Sequence, residues 1–208
     1  MSPRTGPKTA DGPAGWLRAR LATLRHYHRV AEVGEIARRY FAMNAFDGVL
    51  TTLGVIVGGY IAHVHSAHQI VSVGLGAAVA MGVSGFYGSY LIERAERDRS
   101  LRELEEVTLS SLGDSDIAAA STYATIVIAL VDGISPFIAA GLVLLPFFLV
   151  DINAAYRAGV IIAFVELFLL GTFLGRVSRQ RLIWSGVKLA MAGLLCVAIS
   201  ALLDWGLR

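Results

Sequence analysis

Charge is scarce in this chain. Asp, Glu, Lys and Arg make up 16% of its 208 residues, against 55% hydrophobic residues, whereas a soluble domain carries about a quarter charged. Cysteine is scarcer still, because Cys196 is the only one; an intrachain disulfide and a thiolate metal cluster are both excluded. No cleavable signal peptide is expected either. Residues 1–15 are polar and rich in Pro and Gly, and they lead into a charged stretch rather than an apolar run. An ordinary soluble enzyme does not have this composition, and the expectation is a non-enzymatic membrane protein.

What the chain has is oil, laid down in runs. They fall at about 41–62, 69–92, 117–150, 158–175 and 183–203, each of about 18 residues or more, enough to cross roughly 30 Å of hydrocarbon. The third is long enough for two short helices and is interrupted by Asp132, Gly133, Pro136 and Pro146. Basic residues decide between one crossing and two, since Lys and Arg are retained on the cytoplasmic side. Arg4, Lys8, Arg18, Arg20, Arg25, Arg29, Arg38 and Arg39 precede the first run. Arg94, Arg97, Arg99 and Arg102 follow the second, and Arg176, Arg179 and Arg181 follow the fourth. One crossing at 117–150 puts all three clusters inside. The expectation is an all-α, five-helix bundle occupying 16–208 after a disordered tail at 1–15, with the N-terminus cytoplasmic and the C-terminus outside. The host would be the plasma (inner) membrane of a prokaryote.

Trp16, Leu17, Leu21, Leu24, Val33 and Ile36 are spread among arginines at close to helical spacing, which predicts an amphipathic interfacial helix over 16–40. Glu93 to Glu106 alternates charges without apolar periodicity and reads as a cytosolic extension of the second helix, ending near Gly113 within a cytosolic segment at 93–116.

Asn44, Asp47, Thr51, Gly54 and Gly58 follow steps of three and four, so they share one helix face. Gly54 and Gly58 would permit close helix approach. Gly74, Ala78, Gly82, Gly85 and Ser89 form a small-residue stripe in the second run, expected to pack on the first. Asp132 and Glu166 add two more acids at membrane depth. A central Asp costs roughly 2.5–3.5 kcal/mol on insertion scales, and no Arg lies within these spans to neutralise it. Carboxylate, amide and hydroxyl oxygens are hard ligands for Mg²⁺, Ca²⁺, Mn²⁺ or Fe²⁺, and a carboxyl that releases a metal can take up a proton. The chemistry points to divalent-cation transport exchanged for protons. His63, His65 and His68 in the short outer connection between the first two runs are better read as polar loop residues than as a Zn²⁺ or Cu²⁺ site.

The passage Asn44-Ala45-Phe46-Asp47-Gly48-Val49-Leu50-Thr51-Thr52-Leu53-Gly54-Val55, continuing to Gly58-Gly59, resembles the first-helix signature of the vacuolar iron transporter family. Ala80 to Tyr90, Leu144 to Phe148, and Leu167 to Gly171 with Gly175-Arg176 resemble its later helices. The resemblance spans roughly 38–205. It implies a homodimer of five-helix subunits that exports Fe²⁺ or Mn²⁺ as substrate in exchange for protons, with Asp47 lining a path between subunits. No further cofactor and no nucleic acid are implied.

The chain departs from the family's second-helix methionine and glutamate, which fall here at Gly85 and Ser89. Met81 and Glu93, one turn away from each, are the candidate substitutes. Asp132 and Glu166 are candidates for proton coupling or a polar inter-helix network. Two other classes compete. One is an intramembrane aspartyl protease using Asp47 and Asp132, disfavoured because neither aspartate has the Gly-x-Gly-Asp context and Asp47 is expected nearer the cytoplasmic entrance. The other is a noncatalytic membrane scaffold or regulator.

Overall fold

The computed structural model describes residues 33–113 and 115–207. Helices α1 (Val33–Ile61), α2 (Ala67–Thr108), α3 (Asp116–Leu144), α4 (Pro146–Leu149), α5 (Ile152–Val177) and α6 (Leu182–Leu207) follow one another with short connections. No strand occurs among the described residues. Five of these helices, all but α4, are long and apolar enough to cross a membrane. The predicted amphipathic helix lies outside the described residues up to position 32. Its last eight positions, 33–40, belong instead to α1, because Val33 is fully buried in a cluster with Ala124 and Ile128 of α3, against which Ile36 and Tyr40 pack.

The long third run makes one crossing. Pro136 sits inside α3 without ending it, and the Ser135 hydroxyl donates to the Val131 carbonyl beside the interruption. The break comes at Leu144–Pro146, where α4 starts on Pro146, a residue suited to a first turn because its missing N–H would be unpaired there anyway. Ser115 caps α3 by accepting from the Ala118 N–H at 3.3 Å, and Asp151 caps α5 by accepting from the Ala154 N–H at 3.1 Å.

α2 runs 42 residues without interruption, so the charged segment does continue the spanning helix. It stops at Thr108 rather than near Gly113. Leu109 turns into the left-handed region, with φ 51°, and Glu105 accepts from the Leu112 N–H at 2.7 Å. Along the extension, Arg94–Asp98 (3.7 Å) and Arg99–Glu103 (2.9 Å) pair one turn apart.

The bundle packs on small residues. A Cβ on Gly48 of α1 would stand 2.7 Å from the Pro136 backbone of α3, and one on Gly82 of α2 would stand 2.6 Å from the Gly133 carbonyl oxygen. The small-residue stripe of α2 therefore packs chiefly on α3, not on α1 as expected. Gly54 faces the Cys196 thiol of α6 at 3.9 Å, while Gly58 meets nothing within 4 Å. The close approach anticipated at Gly54 and Gly58 is made instead by Gly48, whose neighbour in sequence is the aspartate of the stripe. α5 and α6 form a second tight pair, with Gly171 and Gly175 against Ser185 and Gly186. Fully buried Val49, Leu53, Ile56, Val143, Leu144 and Leu167 fill the space among α1, α3 and α5. Around this core the outer faces are apolar too: Ile183, Leu195, Leu202 and Leu203 of α6 are all more than half exposed, as lipid-facing side chains are.

Candidate functional site

The polar residues of α1, α2 and α3 meet in a ladder along the seam of those helices. Its first rung, at the end nearest the α2 extension, holds Tyr40, Glu93 and Arg97. Arg97 Nε lies 3.2 Å from Glu93 Oε2, both side chains largely buried, and the Tyr40 hydroxyl is within hydrogen-bonding reach of the same carboxylate.

One turn further in, the Asn44 amide donates to Asp132 Oδ1 and also approaches the Tyr40 carbonyl at 3.4 Å. Asp132 is only 4% exposed. The Ser89 hydroxyl lies beside its carboxyl and donates at 2.7 Å to the Gly85 carbonyl. Gly85 leaves the room that this carboxyl fills, since a Cβ there would stand 3.3 Å from Asp132 Oδ2 and 3.5 Å from Asn44 Oδ1. Asp132 thus occupies, from α3, the space beside the two α2 positions where the expected methionine and glutamate are missing.

Asp47 is exposed on the outer side of this rung, three residues and so about 4.5 Å of helix rise from Asn44, the partner of Asp132. The two aspartates therefore sit at similar depth, which corrects the expectation that Asp47 lies well nearer the cytoplasmic entrance. Among the described residues no hydrogen bond joins them.

The third rung is exposed Thr51, whose hydroxyl donates to the Met81 sulfur at 3.3 Å. Met81 and Thr51 are thus brought together, while Glu93 lies three helical turns from Met81 and is tied to Arg97. Glu166 stands apart from the ladder. Its Oε1 is buried with no hydrogen-bond partner, in a groove of about 240 Å³ lined by Phe41, Ala45, Ala139 and Phe173. It is not part of a polar network among the described residues. His63 and His65 of the α1–α2 connection and His68 in the first turn of α2 are all exposed. No three His, Cys, Asp or Glu side chains among the described residues converge as a metal site.

Sequence reasoning singled out Asn44, Asp47, Thr51, Met81 and Asp132 but not their partnership, and it overlooked Tyr40 and Ser89 as members. The available signal was size: Gly85 and Ser89 are small on the side of α2 that must receive a carboxyl.

Five helices long and apolar enough to cross a membrane, with no strand among the described residues, define an all-helical integral membrane protein. No family model matches the chain. It is 36% identical over 169 residues to "Uncharacterized protein MJ0645" of Methanocaldococcus jannaschii, covering 80% of this chain and 87% of that protein. The chain belongs to the family of that archaeal protein.

Proposed function

We propose that this protein moves a divalent cation, Fe²⁺ or Mn²⁺, across the membrane in exchange for protons, as a member of the vacuolar iron transporter family. The observation that carries the proposal is the exposure of Asp47 and Thr51 at membrane depth, with Met81 beside them. A carboxylate turned outward from a spanning helix is costly against lipid, and its cost falls if a second copy covers it. Two facing copies would bring two carboxylates, two hydroxyls and two thioethers together, a donor set for a borderline transition-metal ion that one chain lacks.

In this reading Asp47 binds the ion, and Asn44 and Thr51 supply supporting oxygens. Asp132 holds Asn44 in place from behind. Glu166, buried without a partner, is the candidate proton carrier. The basic clusters orient the protein with its N-terminus and the α2 extension in the cytosol, so export carries metal away from that end.

The test is flux of Fe²⁺, Mn²⁺, Zn²⁺ and Ca²⁺ into proteoliposomes across a pH gradient. Gradient-dependent Fe²⁺ or Mn²⁺ uptake that Asp47→Asn abolishes is the expected result; full uptake by that variant overturns the role of Asp47.

The similar depth of Asp47 and Asp132 favours one competing reading, an intramembrane aspartyl protease. Against it, Asp132 is engaged by Asn44, and no hydrogen bond links the two carboxyls. Cleavage of a peptide substrate in detergent, lost in both Asp→Asn variants, would establish that class instead.

A further inference from the structure

A second concave feature lies at the opposite end of the bundle from the α2 extension. It is a groove of about 520 Å³ between α1, α5 and α6, walled by Val57, Val160, Phe164, Leu194 and Val197. At its mouth stand Tyr60, 64% exposed, and Arg157. Tyr60 is held edge-on to Tyr156, ring centres 5.4 Å apart, and Tyr156 in turn donates to the Val64 carbonyl at 2.9 Å. The rim is therefore built, with the loop after α1 tied to α5.

Arg157 is the exception to the charge pattern of the chain. It is the one Lys or Arg in the connections and helix starts at this end between residues 61 and 160. Its side chain is exposed, and no ion pair or hydrogen bond holds it among the described residues. It sits five residues inside α5, about 7–8 Å from the helix start at 1.5 Å per residue, a depth from which a guanidinium reaches back to the headgroup level. From Arg157 to Phe164 the groove descends a further 10 Å or so along the helix.

We infer that this groove binds a phospholipid of the adjacent leaflet, its phosphate on Arg157 and one acyl chain lying along Val160, Phe164 and Leu194. The guanidinium supplies charge-assisted donors matched to a phosphate, and the walls below offer only apolar contact. Nothing in the groove satisfies a polar partner deeper than the rim, which suits a ligand with a single charged end. A cation on a facing second copy would find Arg157 repulsive.

The test uses the full chain in a mild detergent, with retained lipid measured by native mass spectrometry and the thermal midpoint followed on adding a defined lipid. Dioleoyl phosphatidylglycerol should bind and raise the midpoint. Arg157→Gln and Val160→Phe should each retain it at least tenfold more weakly, and Arg157→Lys should recover part of the loss. Circular dichroism of each variant confirms the helical fold, so that misfolding does not pass for lost binding.

Equal retention by Arg157→Gln and the unaltered chain overturns the proposal. So does equal binding of dioleoylglycerol, which lacks the phosphate, or of inorganic phosphate, which lacks the chain. A fall in oligomeric mass of Val160→Phe would assign the groove to a second copy instead.

Discussion

The side-chain amide of Asn44 donates to Oδ1 of Asp132, joining α1 to α3 across 88 positions of sequence. Asp132 is almost wholly enclosed, so this amide replaces water as a donor to its carboxyl, while the Ser89 hydroxyl beside it donates to the Gly85 carbonyl. Asn44→Ala removes the amide and leaves the carboxyl short of a donor. The expected loss is about 1–3 kcal/mol, the cost of a buried unsatisfied polar group, seen as a lower thermal midpoint in detergent. Asn44→Ala combined with Asp132→Leu should recover part of it, because neither side then carries an unmet group; a double variant as unstable as the sum of both singles contradicts the pairing.

The glycines separate by what surrounds them. Gly48→Ala drives a methyl into the Pro136 backbone and should cost about 1–3 kcal/mol, as overpacking does where no flexible side chain can yield. Gly58→Ala meets open space and should leave the midpoint within about 0.5 kcal/mol of the parent in the detergent-solubilised subunit. Equal effects would show that α1 does not pack on α3 through Gly48.

Glu166 makes the opposite kind of prediction. Its buried Oε1 has no partner, so removing the carboxyl sacrifices no hydrogen bond there. Glu166→Leu should hold or raise the midpoint, while gradient-driven metal uptake falls if this carboxyl carries the proton. A clear drop in the midpoint would mean that a polar partner covers it in the membrane.

Glu93 and Arg97 form a largely buried pair at 3.2 Å, and truncating one leaves the other charge uncompensated. Glu93→Gln and Arg97→Gln should each destabilise. The exchanged pair, Glu93→Arg with Arg97→Glu, should restore much of the loss. If metal uptake recovers with stability in the exchanged pair, Glu93 serves the fold; if stability recovers and uptake does not, Glu93 serves the cation.

Much of the architecture was legible beforehand because crossing a bilayer is a one-dimensional constraint. Run length and the charged continuation of α2 were readable from spacing and composition, whereas Pro146 was one of four interruptions in the third run and only the structure shows that the helix breaks there and not at Pro136. The same periodicity placed Asn44, Asp47 and Thr51 on one stripe. What it could not supply was the neighbour of each: Asn44 turns to Asp132, Thr51 to Met81 and Gly54 to Cys196, three different helices served by one face. A helix face about 100° wide readily touches more than one neighbour in a bundle, and periodicity names the face, not the partner.

The sequence by itself determined that the chain is apolar and helical, with five runs long enough to cross a membrane, since backbone polar groups in hydrocarbon must be satisfied within each helix. Only the tertiary structure decided that the α2 stripe packs on α3, that Asp132 fills the room beside Gly85, and that Glu166 Oε1 has no hydrogen-bond partner among the described residues. Faces that meet lipid and faces that meet a neighbouring helix are both largely apolar, so hydropathy does not distinguish one pairing of helices from another. The choice falls to steric fit between small residues and to a few hydrogen bonds, and both exist only once the helices are side by side.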